Sequence, residues 1–301
     1  MAWRGIHLSR SAHLGLKHRA LHIRFKDDQG GEFRTPLEDL AYLIIDRPDI
    51  SVTSRLMAEM AQKGVCAIGV DERHLPSWIS LPTGNFYRPG EIIQLQLNVS
   101  EPIRKRVWKE IVINKLKMQA GCLQRLGKKG VNEISSMASR VKSGDADNVE
   151  ARGARAYWKC IFDDRTFTRH SEDLPNALLN YGYAIVRSCI ARILCGKGFI
   201  PQIGIWHHSV SNAFNLADDL LEPFRPVVDH RAYQVLNGAN SDTPLTLDHR
   251  RAMTLVMESS VDVYGDKLNL INAIEVCVDS LRETLIQKEV AEMRFPAFLN
   301  S

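Results

Sequence analysis

The sequence lacks the patterns that mark several common classes of protein. Its six cysteines are scattered with no CxxC pair, which argues against a zinc knuckle and a disulfide framework and favours buried thiols. Neither a GxxxxGK[ST] loop nor a GxGxxG turn occurs, so a P-loop enzyme and a dinucleotide-binding enzyme are disfavoured. The longest apolar stretch, YGYAIVRSCIARILCG, is interrupted by Arg187 and Arg192, well short of the roughly 20 apolar residues that span a bilayer.

The first residues, MAWRGIHLSR, contain no unbroken apolar segment of the kind found in secretory signals. We therefore expect a cytoplasmic protein. The composition, with 45% hydrophobic and 25% charged residues, is that of a globular protein. At about 150 residues per domain, a chain of 301 residues is expected to form two domains.

The net charge is only +4, but basic residues are clustered along the chain. The cluster begins with Arg104, Lys105, Arg106, Lys109, Lys115 and Lys117 and continues to Lys142. A solvated helix face and a surface that binds a polyanion explain such a cluster equally well.

Hydrophobic periodicity divides the chain into two parts. Residues 1–85 contain alternating and continuous apolar runs, LGLKHRALHIRF, LEDLAYLIID and VCAIGV, which predict strands, with one helix capped by Ser51 or Thr53. Helical periods follow at 102–127, 131–143, 148–162, 174–195, 212–222, 246–262 and 265–290. We predict an α+β multidomain protein, with a small β-sandwich-like domain at 1–85 and a larger all-α domain at 86–301.

Carboxylates are crowded into HHSVSNAFNLADDLLEPFRP, residues 207–226, which has no lysine. On a helix, Asn215, Asp218, Asp219 and Glu222 would share one side. A solvated face at the end of a helix is one interpretation. The other is a site with a positive group nearby, because clustered carboxylates repel one another. Arg225 could be that group, and so could a divalent metal ion, for which carboxylate oxygens with an imidazole are suitable ligands.

Glu150 is a second candidate, and it also has two interpretations. If Asn148 caps the helix that follows, the favourable helix dipole explains a carboxylate in the first turn. Glu150 also aligns with Ala154, Tyr157 and Ile161 on an inward-facing stripe, where a carboxylate needs a partner. The histidines other than His207 and His208 lie apart from any acidic cluster in the sequence, and Ser209 with His207 lacks the GxSxG turn of a serine hydrolase.

Three stretches together resemble a known family: VEARGARAYW at 149–158, LNYGYAIVRSCIARIL at 179–194 and PQIGIWHHSVSNAFNLADDLLEPFRP at 201–226. They are similar to the CRISPR-associated integrases that acquire new spacers, the Cas-one family, and FNLADDLLEPFRP is similar to its type II branch. LEDLAYLIID and the segment around VCAIGV resemble that family's N-terminal β domain.

The resemblance implies a catalytic Mg²⁺ or Mn²⁺ ion held by Glu150, His207 and Glu222, with Asp219 as an accessory acid. The expected reaction joins the 3′ hydroxyl of captured spacer DNA to the CRISPR repeat by transesterification. Basic residues are then expected to contact the DNA phosphates, and the candidates are Arg152, Arg155, Lys159, Arg104, Lys105 and Arg106.

The same resemblance implies several partners. These are double-stranded DNA, a second copy of the chain bound through the N-terminal domain, a small CRISPR-associated subunit that bridges two dimers, and the type II effector nuclease. Two alternatives remain beside the integrase: a scaffold that binds nucleic acid without catalysis, and a general metal-dependent nuclease acting on branched DNA.

Overall fold

The computed structural model describes residues 4–27, 30–162, 167–236 and 243–299. Strands dominate its N-terminal part. They are β1 (Arg4–Leu8), β2 (Ala12–Lys17), β3 (Ala20–Phe25), β4 (Glu32–Pro36), β5 (Leu40–Ile45), β6 (Ser51–Val52), β7 (Cys66–Val70) and β8 (Pro76–Ser80). One sheet has the order β1-β5-β7-β8, with β8 antiparallel to β7 and the other pairs parallel. The second sheet has the order β4-β3-β2-β6.

The predicted strand segments are present, with local differences. LGLKHRALHIRF is a hairpin of β2 and β3, because His18 and Arg19 both adopt the left-handed conformation that a tight two-residue turn requires. In LEDLAYLIID, Leu37–Asp39 form a 3₁₀ turn before β5 begins. All six residues of β5 are buried, since one face packs in the core between the sheets and the other faces the helices.

Helix α1 (Ser54–Gln62) lies between β6 and β7 in the chain and is the one helix predicted for the strand-rich part. Its cap is Thr53, whose side-chain oxygen accepts a hydrogen bond from Leu56 N at 3.3 Å. Gly64, with a φ of +70°, follows the end of the helix, where a left-handed residue is common.

Helices dominate from residue 89 onward. They are α2 (Pro89–Leu97), α3 (Glu101–Arg125), α4 (Val131–Ala138), α5 (Val149–Ile161), α6 (Leu174–Gly196), α7 (Asn215–Leu221), α8 (Arg225–Leu236), α9 (Leu247–Thr254) and α10 (Leu270–Gln287). Helix α6 is buried along most of its length and packs against α7, α8, α9 and α10. Helix α3 packs against α4, α5 and α8, so these two long helices position the segments between them.

The predicted fold class, a strand-rich N-terminal part followed by helices, is confirmed. Helix was wrongly predicted at 260–262 and 266–269, where β9 (Ser260–Val263) and β10 (Asp266–Asn269) form an antiparallel hairpin. Tyr264 and Gly265 both have positive φ, and this turn interrupts the helical period.

Two helices were not predicted. Helix α2 lies in a segment rich in proline and glycine, and α8 begins one residue before Pro226. A proline in the first turn of a helix costs no hydrogen bond, so Pro89 and Pro226 are compatible with the first turns of α2 and α8. The division at residue 85 falls between β8 and α2 and stays a prediction. Within the described ranges, none of the helices has the length and apolar character needed to cross a membrane.

Candidate active site

Glu150, His207 and Glu222 line one cavity of about 580 Å³. They come from three separate segments: the first turn of α5, the loop before α7, and the residue that follows α7. The remaining lining residues are Trp108, Gly144, Asp145, Asn148, Trp206, His208 and Ser209. The tertiary structure therefore brings the three predicted site residues together, while their role as metal ligands stays a prediction.

Glu150 is placed by a cap that the sequence did not reveal. The carboxylate of Asp145 accepts hydrogen bonds from Val149 N at 2.8 Å and from Glu150 N at 2.9 Å. The predicted cap, Asn148, was wrong: its backbone is left-handed, with a φ of 50°, and its side chain makes no capping bond to a described residue. Because Asp145 already accepts hydrogen bonds from free N–H groups at the start of α5, the helix does not need the Glu150 carboxylate as a cap. The buried stripe of α5 also runs one position away, through Val149.

Lys115 lies between the two glutamates. Its ammonium forms ion pairs with Glu150 Oε1 and Glu222 Oε2, and its side chain is only 8% exposed. The sequence placed Lys115 in a solvated or DNA-binding basic cluster, and this was wrong. Its position in the buried stripe of α3, four residues after Ile111, is the sequence signal that indicates burial.

The charges of this cluster stabilise one another. Burial alone would raise the pKa of Glu222, but Arg225 and Lys115 outweigh it and lower the pKa to about 2. Arg225 Nε donates to Glu222 Oε1 at 2.8 Å. Burial alone would lower the pKa of Lys115, but Glu222 and Glu150 raise it. Glu222 is therefore a carboxylate, and Lys115 an ammonium, at neutral pH.

Asp219 holds the loop that carries His207. Its side chain is fully buried, and Oδ2 accepts hydrogen bonds from Ile205 N at 2.6 Å and Trp206 N at 2.9 Å. Its Oδ1 accepts from His207 N at 3.0 Å and lies 2.6 Å from His207 Nδ1. The hydrogen bond to Asp219 raises the pKa of His207, although partial burial opposes it. With a proton on Nδ1, the neutral imidazole keeps its lone pair on Nε2.

The acidic side of α7 is therefore not a solvated face. Asn215, Asp219 and Glu222 are buried, and Asn215 Nδ2 donates to the carbonyl oxygens of Gln202 and Ser209. Asp218 lies farther out and accepts a hydrogen bond from Asn212 at 2.7 Å. Of the four polar residues predicted to share a side, Glu222 is the one that lines the cavity.

The loop before His207 approaches the rest of the site very closely. A Cβ at Gly204 would lie 2.1 Å from the carbonyl oxygen of His207 and 2.9 Å from Asp219 Oδ2. Trp206 stacks on Trp108 with ring centroids 5.5 Å apart, and Trp108 contacts His207 edge to face at 5.5 Å. Glycine at 204 and this aromatic wall fix the imidazole beside the cavity.

The residue types fit a divalent metal ion. Within the described ranges, no three His, Cys, Asp or Glu side chains converge closely enough to hold a metal as they stand, and the Lys115 ammonium lies between the two carboxylates. Glu222 Oε2 is buried, and no described atom is placed to form a hydrogen bond with it. Two carboxylates that already converge on one cation, next to an imidazole, are a suitable donor set for Mg²⁺ or Mn²⁺.

The predicted DNA-binding residues differ in their surroundings. Arg152, Arg155 and Lys159 are exposed on one face of α5. At the start of α3, Arg106 is exposed, whereas the other two basic residues make local contacts: Arg104 donates to Val99 O at 3.1 Å, and Lys105 pairs with Glu101 at 2.6 Å.

Three arginines line a second cavity, of about 330 Å³. Arg169, Arg187 and Arg225 line it together with Asn180, Tyr183 and Asp218. Arg225 connects the two cavities, because it also binds Glu222. The arginines come from separate parts of the chain, so no local cluster in the sequence reveals them.

Histidines near an acidic residue were also missed. Asp46, whose side chain is fully buried, accepts hydrogen bonds from His7 Nε2 at 2.8 Å, His74 Nδ1 at 2.7 Å and Arg250 Nε at 2.8 Å. In the sequence His7 and His74 lie apart from any acidic cluster, and they meet this single carboxylate only in the folded chain, because Asp46 follows a different strand. This cluster joins the strands to α9.

Asp229 of α8 is a buried carboxylate behind the site. It accepts hydrogen bonds from the hydroxyl groups of Tyr157 and Tyr183. Burial raises its pKa to about 6 despite these two donors.

Several solved structures share the fold of this chain. The fold is shared with a casposase bound to integration product (TM-score 0.77, 17% identity, covering 95% of this chain and 91% of that one). It is also shared with a Cas1 protein from Thermotoga maritima (TM-score 0.76, 16% identity, covering 99% and 100%). A chain of the Cas6-RT-Cas1–Cas2 complex matches with a TM-score of 0.75 and 16% identity, covering 99% of this chain and 36% of that one.

Sequence comparison gives the family. The family model described as CRISPR associated protein Cas1 matches residues 6–247. The CRISPR-associated endonuclease Cas1 of Neisseria meningitidis serogroup C (strain 8013) is 33% identical over 99% of this chain and 97% of its own length. The chain belongs to the Cas1 family. The resemblance found from the three motifs is thus confirmed, and the Neisseria relative is consistent with the type II branch.

Proposed function

We propose that this protein is a metal-dependent DNA integrase of CRISPR adaptation, which joins the 3′ hydroxyl ends of captured spacer DNA to the CRISPR repeat. The observation that carries the proposal is the convergence of Glu150, Glu222 and His207, from three distant segments, on one cavity. Membership in the Cas1 family and the fold shared with a casposase bound to integration product support it.

The proposed reaction is a transesterification. The 3′ hydroxyl loses its proton and attacks a phosphorus atom of the repeat, and the P–O bond to the leaving 3′ oxygen breaks. One phosphodiester replaces another, so neither hydrolysis nor an external energy source is needed. Negative charge grows on the phosphoryl oxygens during the exchange. A divalent metal ion bound here would stabilise that charge and lower the pKa of the attacking hydroxyl.

The chain's own residues prepare the site for this chemistry. Glu150, Glu222 and Nε2 of His207 would hold the metal. Arg225 and Lys115 keep Glu222 ionised, and Asp219 keeps the proton of His207 on Nδ1. One nitrogen donor beside two carboxylates suits Mn²⁺ as well as Mg²⁺.

DNA binding is assigned to basic groups around the site. We propose that Arg152, Arg155 and Lys159 contact phosphates along the exposed face of α5, with Arg104, Lys105 and Arg106 extending the surface, so affinity falls as salt rises. The second cavity, lined by arginines, offers further phosphate contacts beside Glu222.

The proposed assembly is a homodimer formed through the N-terminal strands, with two dimers bridged by a small CRISPR-associated subunit. The neighbouring Cas6-RT-Cas1–Cas2 complex, which combines a Cas1 chain with Cas2, supports the small subunit. The type II effector nuclease is proposed as a further partner on the basis of the type II motif.

Strand transfer into a supercoiled plasmid that carries a CRISPR repeat tests the function. Glu150→Gln, His207→Ala and Glu222→Gln should abolish transfer while DNA binding remains, and chelation should abolish it in the wild type. His208→Ala is the matched control, because His208 is adjacent but hydrogen-bonds the carbonyl oxygen of Trp206. Wild-type transfer by any of the three site variants would refute the site assignment.

A general nuclease is the second candidate, since the Neisseria meningitidis relative is named a CRISPR-associated endonuclease. A branched DNA substrate assayed beside the repeat plasmid separates the two functions. Cleavage of the branched substrate without insertion into the repeat would favour the nuclease. Unchanged activity after chelation, or no reaction with either substrate, would favour a non-catalytic scaffold.

A further inference from the structure

Lys115 is a cation enclosed by the two carboxylates of the candidate site. Its ammonium contacts Glu150 and Glu222 at the same time, and its side chain is buried in the middle of α3 between Ile111 and Gln119. The backbone of Lys115 is fixed by this packing, but its four-carbon side chain can rotate its end group. The position of the ammonium, unlike that of α3, is therefore adjustable.

We propose that the Lys115 ammonium and the divalent metal ion compete for the same place, so that metal binding is an exchange of one cation for another. This inference rests on the proposed function. A Mg²⁺ ion that binds both glutamates would need to lie about 2.0–2.1 Å from an oxygen of each. Lys115 Nζ already fills the space between Glu150 Oε1 and Glu222 Oε2.

The charges favour exchange over addition. Lys115 and Arg225 carry two positive charges, and Glu150 and Glu222 carry two negative charges, so the cluster is neutral. Adding a divalent ion with the ammonium still in place would give this largely buried group a charge of +2, with two cations in contact. Removing the ammonium without replacement would leave two carboxylates facing each other with only Arg225 to offset them.

The two carboxylate oxygens of Glu222 indicate which contact a metal ion would replace. Arg225 Nε holds Oε1 with a hydrogen bond of 2.8 Å, whereas Oε2 contacts Lys115 without a well-directed hydrogen bond from any described atom. A cation that takes the place of the Lys115 ammonium at Oε2 therefore leaves the hydrogen bond between Arg225 and Oε1 intact. Lys115 thus holds the two carboxylates together until the metal arrives.

The direct test measures Mn²⁺ binding to the purified full chain by electron paramagnetic resonance and calorimetry. If the ammonium occupies the site in most molecules, the apparent affinity falls by the fraction that is free. Lys115→Met should therefore bind Mn²⁺ about tenfold or more tightly than the wild type. An unchanged or weaker affinity in Lys115→Met would overturn the proposal.

A matched control removes a lysine of the same kind elsewhere. Lys197 also lies between two carboxylates, those of Glu275 and Asp279, at 3.1 and 2.9 Å. Lys197→Met should leave the Mn²⁺ affinity of the site unchanged. A gain in Mn²⁺ affinity equal to that of Lys115→Met would show that removing a lysine from any pair of carboxylates creates such binding. That result would contradict competition at one site.

A second control separates occupancy from simple charge. Arg225→Met removes a positive charge from Glu222 but not from the space between the two glutamates. Its gain in Mn²⁺ affinity should be several-fold smaller than that of Lys115→Met. Equal gains would mean that Lys115 acts only through its field, and the proposal would fail.

A measurement on the wild type covers the case in which Lys115→Met does not fold. Reductive methylation followed by mass spectrometry reports the accessibility of each lysine. Methylation of Lys115 should rise several-fold when Mg²⁺ saturates the site, while that of Lys197 stays constant. Continued protection of Lys115 with the metal bound would overturn the exchange.

The outcomes also distinguish this inference from the proposed function. If the wild type binds Mn²⁺ and Glu150→Gln does not, but Lys115→Met binds Mn²⁺ no more tightly than the wild type, only the competition is refuted. If neither the wild type nor Lys115→Met binds Mn²⁺, both proposals fall.

Discussion

Replacing Asp219 with asparagine should change the imidazole of His207 while conserving the shape of the side chain. The carboxylate accepts from three backbone N–H groups and from His207 Nδ1. An amide offers one oxygen and one NH₂ group. The least costly orientation keeps oxygen toward Ile205 N and Trp206 N and turns NH₂ toward His207, which forces Nδ1 to become an acceptor and moves the imidazole proton to Nε2.

The magnitude follows from counting these bonds. The hydrogen bond from His207 N is lost, and a hydrogen bond to a charged acceptor contributes about 1.5–3 kcal/mol. The bonds that remain become neutral and are roughly half as strong. We expect Asp219→Asn to lower the free energy of unfolding by about 2–4 kcal/mol. Because the protonated Nε2 no longer offers a lone pair, Mn²⁺ affinity and strand transfer should fall by about 10–100-fold.

Urea unfolding followed by circular dichroism measures the first effect, and calorimetric Mn²⁺ titration the second. Amide hydrogen exchange at residues 205–207 reports locally on the lost acceptor, and exchange should be faster in the variant. Asp218→Asn is the matched control, because Asp218 is only partly buried and lies 3.9 Å from Arg187. It should leave metal affinity unchanged.

Asp219→Asn could also behave like the wild type. An unfolding free energy within about 0.5 kcal/mol of the wild type, the range of ordinary surface substitutions, together with unchanged Mn²⁺ affinity, would refute this reasoning. It would mean that neither the loop nor the imidazole depends on the carboxylate.

Three further predictions concern the surroundings of the site. Burial raises the pKa of Asp229 from 3.8 to about 6, so the folded state binds this proton more tightly than the unfolded state. Stability from this group should fall by about 2 kcal/mol as pH rises from 4 to 6, and Asp229→Asn should remove that part of the slope in urea unfolding at several pH values. Gly204→Ala should abolish strand transfer because its Cβ meets backbone at 2.1 Å, whereas Gly196→Ala, with no described atom within 4 Å, should retain it; equal activities would contradict the close approach. Asp46→Ala leaves the guanidinium of Arg250 buried without its carboxylate and should cost about 3–5 kcal/mol in unfolding free energy, and a loss below about 1 kcal/mol would show that water replaces the carboxylate.

Much of the secondary structure followed from periodicity. The long helices α3 and α6 and the buried strand β5 have strong local patterns, so their existence was predicted and only their ends shifted. The β9–β10 hairpin was missed because its turn, at Tyr264 and Gly265, lies inside an apolar period that also suits a helix. Short strands depend on a partner strand for their hydrogen bonds, and a single segment does not reveal that partner.

The candidate site divides in a similar way. The motifs brought out Glu150, His207 and Glu222 because each lies in a recognisable local sequence. Asp145, which caps α5, has no such signal. Lys115 has only its place on the buried stripe of α3, which indicates burial but not that its ammonium meets two of the three site residues.

The sequence by itself determined where most of the helices and strands form and which side chains have the chemistry for metal and phosphate. Tertiary structure alone decided which charges meet: Lys115 with the two glutamates, Asp46 with two histidines and Arg250, and Arg225 between two cavities. The physical reason is range. Periodicity and capping act over a few residues, whereas ion pairs and burial act through space between segments that lie tens or hundreds of residues apart.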